Sequence, residues 1–295
     1  MKGLLAALRA LATLAGVWLF IQVLPRVRAE DPARIAAGEW ATEAEVAAFR
    51  RILGLDQPLL QALARSASDL LHGRMGTSLR FNRPVADILR GGLPVSLRLA
   101  FLALAASMLL AWAMALPRGR GIRALQGAAI ASPVYVLGPL LLWGVAQHVP
   151  GLPVAGVQGW ASWVLPAFTL AVPLAGHQAR VLATQLEEVR ESPGIRWWRA
   201  SGVPGPLRWR AWLLPAVSGP WLTVLGLQLA LILTGAVLTE TVFSWPGLGR
   251  LLYDAILARD TPVIMGAFII MSVTVAAASL ATDLVYAALD PRVKL

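Results

Sequence analysis

The sequence predicts an all-α, polytopic membrane protein with six transmembrane helices and a helical insertion between the first two. Three properties of the composition support this fold class. Apolar residues occupy 57% of the 295 positions, only 14% of the residues are charged, and the mean hydropathy is +0.66. Soluble domains carry about 25% charged residues, and a chain this apolar does not stay disordered. The composition therefore argues against a soluble protein and indicates that lipid is the main solvent.

Six apolar segments are each long enough to cross the ~30 Å hydrocarbon core of a bilayer, which takes ~20 helical residues. They comprise about residues 4–24, 94–116, 125–147, 160–182, 215–239 and 263–289. The first segment begins among basic residues, as a signal peptide does, but no small-x-small cleavage site ends it. We therefore expect residues 1–24 to form a retained first transmembrane helix.

The basic residues predict the orientation. If the N-terminus is cytoplasmic, 13 of the 26 Lys and Arg residues fall in cytoplasmic segments and two, Arg250 and Arg259, fall in short outer loops. The remaining 11 belong to the first outer segment and its junction with the second span, and this segment is too long for the charge rule to apply. Both termini are therefore predicted to be cytoplasmic. The net charge of +10 is spread between apolar segments, so it indicates membrane orientation rather than a nucleic-acid partner.

The sequence offers no candidate for catalysis or metal binding. It has no cysteine and three histidines that lie far apart, which excludes a thiolate site, a cysteine nucleophile and a His-Glu-x-x-His motif. A phosphate-binding G-x-x-x-x-G-K-[ST] loop is also absent. We therefore expect a chain that is not an enzyme and binds no metal or cofactor itself.

Two connecting segments are long enough to carry a function. Residues 25–93 are predicted to form an extracytoplasmic helical region, with helices at 43–52 and 58–71 and Thr42 as the N-cap of the first. This region is either a solvated cap on the bundle or a docking surface for an external partner. Residues 183–214 form a cytoplasmic loop within the five-helix core of residues 94–295.

Glycine and proline divide the cytoplasmic loop into two short helices that meet at a turn centred on Gly202. Four tryptophans and five arginines lie between residues 190 and 212, a composition typical of a membrane interface. The residues alone therefore leave open a loop that is merely anchored in the interface.

This loop resembles the "EAA" loop of the membrane subunits of ABC importers. In that family a glycine is followed, after nine intervening residues, by an apolar residue, any residue and Leu-Pro, as Gly202 is followed here by residues 212–215. Residues 195–202, Ile-Arg-Trp-Trp-Arg-Ala-Ser-Gly, resemble the oligopeptide/dipeptide permease version of the motif. Trp197 and Trp198 stand where that version has small residues, and Ser201 stands where lysine is common.

Further segments resemble the same family in the same order along the chain. They are residues 53–59, 76–80, 83–85, 93–94, 165–167 with Pro173, 240–250 and 290–292. The most specific is 240–250, Glu-Thr-Val-Phe-Ser-Trp-Pro-Gly-Leu-Gly-Arg.

The resemblance implies the transmembrane permease subunit of an ATP-driven importer for peptides or related small solutes, forming half of the translocation path. It implies a second permease subunit that is a related but different chain, and an extracytoplasmic substrate-binding protein. It also implies two cytoplasmic ABC ATPase domains, which would bind the ATP and Mg²⁺ that this chain does not. The expected location is the inner membrane of a prokaryotic cell.

The resemblance further implies that the helix at 195–203 docks on an ATPase. The candidate coupling residues are Ile195, Arg196, Trp198, Arg199, Ala200, Ser201, Gly202 and Val203. Ile195, Trp198 and Val203 would supply apolar contact area. Arg196 and Arg199 would pair either with ATPase carboxylates or with lipid phosphate. Gly202 would permit a turn with positive φ.

Candidates for the translocation path or its gate are Glu240, Ser244 and Asp283. Ionisable residues near the membrane are functional suspects, although Glu240 also fits a helix-end role and Asp283 a structural partner.

Two other classes of protein are alternatives to the importer subunit. A secondary transporter driven by an ion gradient is expected to show internal repeats and ionisable residues at the midplane. An intramembrane hydrolase needs a nucleophile and a base, or metal ligands, within its spans. The sequence shows neither pattern, so both alternatives are disfavoured.

Overall fold

The computed structural model describes residues 2–27, 31–38, 40–146, 148–149, 153 and 155–289. Within these ranges the regular elements are helices, and extended pairing is confined to one isolated bridge between Thr77 and Pro84. The helices are α1 (Lys2–Val27), α2 (Pro32–Ala37), α3 (Glu43–Ile52), α4 (Leu59–Leu71), α5 (Val85–Ala115), α6 (Arg120–Ile130), α7 (Val134–Leu141), α8 (Val164–Glu191), α9 (Pro193–Ala200), α10 (Gly205–Arg208), α11 (Leu214–Val242), α12 (Leu248–Leu257) and α13 (Thr261–Leu289). The predicted all-α class is confirmed.

Three segments of the described chain are long and apolar enough to cross a membrane: Val85–Ala115, Gly205–Leu229 and Thr261–Thr282. Helices Arg120–Ile130 and Val134–Val145 would make a fourth span together, although they are bent by 101° at the break before α7. Pro133 lies at this break, and proline disrupts a continuous helix. The predicted spans at 4–24 and 160–182 are helical, but the count of six spans stays a prediction.

Two helices extend beyond their predicted ends. Helix α5 begins at Val85 rather than near residue 94, because Val85 and Leu89 are buried against α12 and α13. Helix α8 continues to Glu191 rather than ending near residue 182, because Leu182 and Leu186 are fully buried. In both cases tertiary burial extends a helix past the apolar run that predicts it.

The chain forms two compact units. The first comprises the residues from Gly3 to Ser96 and from Pro246 to Ala276. The second comprises Leu97–Trp245 and the part of α13 that follows Ala276.

In the first unit, the predicted N-cap of α3 is confirmed. The Thr42 hydroxyl accepts a hydrogen bond from the Glu45 backbone N–H, and the Glu45 carboxylate accepts one from the Thr42 N–H at 2.8 Å. This reciprocal pair is a capping box. Helix α2 has its own cap at Asp31, which accepts from the Ala33 N–H at 3.0 Å and forms an ion pair with Arg50 of α3.

A buried carboxylate fixes the loop between α4 and α5. Asp260 immediately precedes α13 and is 1% exposed. It accepts hydrogen bonds from Ser78 Oγ at 2.5 Å, Leu79 N–H at 3.2 Å and Arg80 N–H at 3.3 Å. The loop motif at 76–80 is therefore held by one side chain that sequence reasoning did not single out.

In the second unit, α8 packs against both α6 and α11. Gly176 permits the approach of α6, because a Cβ at this position would lie 2.8 Å from the Ile130 backbone nitrogen. Since α8 also carries the residues that lead into α9, this packing connects the centre of the unit to the candidate site.

Candidate coupling site

Helix α9 begins at a local capping signal. Ser192 is its N-cap, and the Ser192 hydroxyl accepts a hydrogen bond from the Ile195 N–H at 3.4 Å. Pro193 occupies the first helical position, where its missing N–H is not needed. The predicted helix from residue 195 is present and starts two residues earlier, because Ser-Pro provides the cap.

The helix ends at a left-handed glycine, as predicted. Gly202 has φ +75°, its N–H donates to the Arg199 carbonyl at 3.2 Å, and the Val203 N–H donates to the Trp198 carbonyl at 3.1 Å. These two bonds form a Schellman motif, which satisfies the last carbonyls of a helix. The chain therefore reverses direction at a geometrically defined point.

Ile195 attaches α9 to the second unit. It is 2% exposed and belongs to an apolar cluster with Leu182 and Leu186 of α8, with Leu213, which directly precedes α11, and with Val217 in the first turn of α11. This corrects the expectation that Ile195 supplies contact area to a partner, since its own chain already covers it. Ile195 instead joins α9 to the buried apolar cluster that also contains side chains of α8 and α11.

Trp198 connects the two halves of the loop. Its ring lies 5.7 Å from the Trp212 ring with a tilt of 53°. The Trp212 ring also lies over Gly194, where a Cβ would approach it to 2.9 Å. Trp198 is half-buried by this contact, so much of its surface serves the loop itself.

The remaining candidate coupling residues are available to a partner. Arg196, Arg199, Ala200, Ser201 and Gly202 are exposed, and Val203 is half-buried. In the sequence, Trp197 stands out only as a departure from the family motif. In the structure it is 66% exposed and contributes the largest apolar surface of α9.

A second aromatic group lies behind the loop. The Trp112 ring of α5 is 6.2 Å from the Trp209 ring and 5.5 Å from the Trp221 ring. The Arg190 guanidinium stacks over Trp209 at 6.0 Å from its ring centre. Sequence reasoning missed Trp112 and Trp221, because a tryptophan inside an apolar helix gives no sign of its neighbours.

A buried polar network crosses the centre of the second unit. Gln178 of α8 donates to Ser107 Oγ at 2.9 Å and to Gln228 Oε1 at 2.5 Å, and it accepts from Trp221 Nε1 at 3.4 Å. Gln228 Nε2 donates to the Leu174 carbonyl at 3.0 Å. The amide nitrogen and the amide oxygen of Gln178 both have partners within the chain. The network therefore holds α5, α8 and α11 in a fixed alignment and is not an open ligand site. Polar residues inside predicted spans were its only sequence signal.

Two of the path candidates lie close together at the end of α11. Glu240 is fully buried, and its carbonyl accepts from the Trp245 N–H at 2.7 Å. Ser244 has φ +54°, an uncommon conformation for a residue other than glycine. Trp245 is 1% exposed and packs edge-on against Trp163, with 4.8 Å between the rings. Residues 240–245 therefore form a tight buried turn, whereas the side chain of Asp283 lies outside the described residues.

Comparison with known proteins identifies the family to which this sequence and fold are similar. The sequence profile of the family described as "Binding-protein-dependent transport system inner membrane component" matches residues 103–295. Two solved ABC transporters share the fold: the inward-facing MetNI methionine transporter (TM-score 0.58, 17% identity, 69% of this chain and 96% of that chain) and an amino acid transporter (TM-score 0.52, 18% identity, 70% and 94%). These structures show the fold that the chain shares, and the family profile over residues 103–295 defines the class of protein, an inner-membrane component of a transport system.

The chain belongs to the family of binding-protein-dependent transport system inner membrane components. It is 36% identical to the probable D,D-dipeptide transport system permease protein DdpB of Escherichia coli strain K12, over 95% of this chain and 93% of the relative. It is 32% identical to the glutathione transport system permease protein GsiC of Salmonella paratyphi A, over 99% and 96%. These relatives confirm the resemblance and disfavour the secondary transporter.

Proposed function

We propose that this chain is the transmembrane permease subunit of an ATP-driven importer for peptides or related small solutes. The similarity that supports this proposal extends over nearly the full length of relatives named for dipeptide, peptide and glutathione transport. The chain would form half of the translocation path, opposite a related but different permease subunit. An extracytoplasmic binding protein would deliver the solute, and two ATPase domains would supply ATP hydrolysis with Mg²⁺.

The coupling role is supported by the position of α9, which is buried on one side and exposed on the other. One side of the helix is fixed in the second unit through Ile195, and the other side presents Arg196, Trp197 and Ala200. A partner that displaces the exposed side would move α8 and α11 with it, because Ile195 belongs to the same buried apolar cluster as side chains of both helices. Packed side chains transmit such a displacement as a rigid-body motion.

The gate is proposed at the turn of residues 240–245. Glu240 lies in the last turn of α11 and Ser244 lies two residues after its end, and Val217 near the beginning of this helix shares a buried cluster with Ile195. A tilt of α11 driven from α9 would therefore reposition both residues. Asp283 of α13 is retained as a third candidate.

The coupling proposal is tested by cross-linking, which is direct because the chain has no native cysteine. Ala200→Cys places a thiol on the exposed side of α9, and Ala124→Cys places one at an equally exposed alanine of α6. We expect a cross-link to the ATPase from position 200 alone, with a yield that changes on ATP addition. Cross-linking from neither position, or equally from both, would contradict the assignment of α9.

Transport is tested separately in proteoliposomes that contain the complete importer. We expect uptake of a labelled dipeptide or of glutathione that requires both the binding protein and hydrolysable ATP. Uptake that continues with an inactive ATPase and stops when an ionophore is added would instead establish a secondary transporter.

A further inference from the structure

An arginine-lined cavity lies beside α9 in the second unit. Its volume is about 440 Å³, and Arg118, Arg190, Arg199 and Arg208 line it. These arginines come from four successive parts of the unit: the residues after α5, the end of α8, α9 and α10. No Asp or Glu lines this cavity in the described chain.

A second cavity adjoins the first and increases the positive charge. It shares Arg118 and Arg190 with the first cavity, adds Arg123 and Arg180, and is lined by a single carboxylate, that of Glu187. None of these six arginines takes part in any ion pair found among the described residues. Guanidinium groups gathered in this way repel one another, and an anion placed between them relieves the repulsion.

Arg190 shows the effect of this environment. Burial lowers the pKa of its guanidinium, the nearby charge of Arg118 lowers the pKa further, and only Glu187 opposes them. Stacking over Trp209 fixes the position of the group. Arg190 is therefore a fixed cation in the cavity wall, and both its burial and the charge of Arg118 disfavour its charged form.

The level of the cavity along the helices indicates which anion fits. Arg118 lies three residues beyond the end of α5, and Arg208 lies near the start of the segment Gly205–Leu229. Helix α5 and this segment are each long and apolar enough to span a membrane. The cavity wall also includes the apolar side chain of Leu116, which directly follows α5 and is 44% exposed. Arginines above an apolar wall, where spans end, match the headgroup level of a bilayer.

We propose that this cavity binds the phosphate of an anionic phospholipid, whose headgroup bridges the arginines around α9. Guanidinium groups bind phosphate oxygens through paired, charge-assisted hydrogen bonds, and the acyl chains would lie along the apolar wall. A lipid bound there would hold α9 and α10 against the ends of α5 and α8. The proposal rests on the proposed function for its orientation, which places the cavity in the cytoplasmic leaflet.

The test compares two double variants of the intact importer complex. Arg118→Gln with Arg208→Gln removes two arginines from the cavity wall. Arg120→Gln with Arg210→Gln removes two exposed arginines that are each two residues away and do not line it. Native mass spectrometry in detergent would measure binding of phosphatidylglycerol, with phosphatidylcholine of identical acyl chains as the uncharged comparison.

We expect the cavity variant to bind phosphatidylglycerol roughly tenfold more weakly than the wild type and the matched variant to change by about twofold or less. Arg118→Lys with Arg208→Lys keeps the charge and should retain part of the affinity, which separates lost binding from misfolding. Equal weakening in both glutamine variants, or no preference for phosphatidylglycerol in the wild type, would overturn the proposal.

Other anions are distinguished in the same experiment. If inorganic phosphate displaces phosphatidylglycerol at an equal concentration, the acyl chains add nothing to the affinity, the cavity is a site for free anions and the lipid assignment is overturned. If the cavity variant loses its ATPase subunits while its lipid binding is unchanged, partner carboxylates occupy the cavity and the proposal fails. A complex that binds the lipid as expected but imports no peptide would contradict the proposed function alone.

Discussion

The loop before α5 and the loop that contains α9 are each fixed to helix ends, but by opposite kinds of interaction. The first is held by hydrogen bonds from Ser78, Leu79 and Arg80 to one buried carboxylate, Asp260. The second is held by the apolar side chain of Ile195 and by the contact of Trp198 with Trp212.

The difference suggests how each loop responds to force. Hydrogen bonds weaken steeply when their distance or angle changes, whereas apolar contact is non-directional and tolerates small sliding movements. A loop fixed by Asp260 should therefore stay in one position until it detaches. A loop fixed by Ile195 and tryptophan rings stays attached while it changes orientation and can therefore still pass a displacement to the helices it packs against, as the proposed coupling role requires.

The largest expected effect is the removal of the buried carboxylate. Asp260→Ala leaves the Ser78 hydroxyl and two backbone N–H groups without their acceptor, so we expect a loss of about 3–4 kcal/mol in the free energy of unfolding. Asp254→Asn is the matched control, because Asp254 is half-exposed and its ion pair with Arg250 is long, at 3.7 Å.

Equilibrium unfolding in detergent micelles, together with proteolysis within residues 72–84, measures this effect. The control should change stability by about 0.5 kcal/mol or less. If Asp260→Ala were as stable as the control, the carboxylate would not be what holds the loop.

Truncation of the apolar attachment should have the next largest effect. Ile195→Ala removes buried side-chain volume, which costs about 2–3 kcal/mol of stability. Because Ile195 also connects α9 to α8 and α11, we expect transport to fall further than ATP hydrolysis, so that more ATP is used per solute imported. Leu207→Ala, at a residue that is 52% exposed, serves as the control.

The ratio of ATP hydrolysed to solute imported, measured in proteoliposomes, separates uncoupling from simple instability. An Ile195→Ala complex with reduced stability but a wild-type ratio would show that force reaches α8 and α11 by another route.

A smaller effect is expected at the turn after α9. Gly202→Ala forces a residue with a Cβ into φ +75°, at a cost of about 1–2 kcal/mol. Gly205→Ala is matched to it, because Gly205 begins α10 without a positive φ and an added Cβ would meet only the flexible end of Arg208 at 3.8 Å. Its stability should change by about 0.5 kcal/mol or less.

Unfolding stability and the Ala200→Cys cross-link report on this turn together. We expect Gly202→Ala to lower both and Gly205→Ala to lower neither. A Gly202→Ala variant with full cross-linking would show that the left-handed turn does not position α9.

Sequence reasoning succeeded where the determining interactions are local. The cap at Thr42 depends on Glu45, three residues away, and the turn at Gly202 depends on carbonyls within the preceding helical turn. Such signals are contained in a short window of sequence.

Sequence reasoning failed where two interacting residues lie far apart along the chain. Ser78 and Asp260 are 182 residues apart, and the burial of Ile195 depends on residues of α8 and α11 that only the fold brings together. The residue pattern of α9 gave its helix and its exposed arginines but could not show which apolar side chain faces its own bundle. For the same reason the sequence did not predict that the Trp197 side chain is exposed, since exposure is a property of the folded chain.

The smallest expected effect concerns acid sensitivity at α2 and α3. The ion pair with Arg50 holds the pKa of Asp31 below its ordinary value near 3.8, and hydrogen bonds from Thr42 lower the pKa of Glu45. Since both pKa values are lowered by folding, their stabilisation is present above the ordinary carboxyl pKa and is lost as the pH falls through the lowered values.

Hydrogen exchange of peptides from residues 31–52, followed from about pH 6 to about pH 3, measures this loss. We expect protection to fall only at the acidic end in the wild type and to be reduced already at neutral pH in Asp31→Asn, because the amide cannot pair with Arg50 as an ion. Asp56→Asn, at an exposed carboxylate outside these helices, should behave as the wild type. Equal protection in Asp31→Asn and the wild type at neutral pH would show that the apolar packing of α2 on α3, in which Ala33 and Val46 are buried, is enough to hold the two helices together. The fixation of α2 and α3 would then resemble that of α9 rather than that of the Asp260 loop.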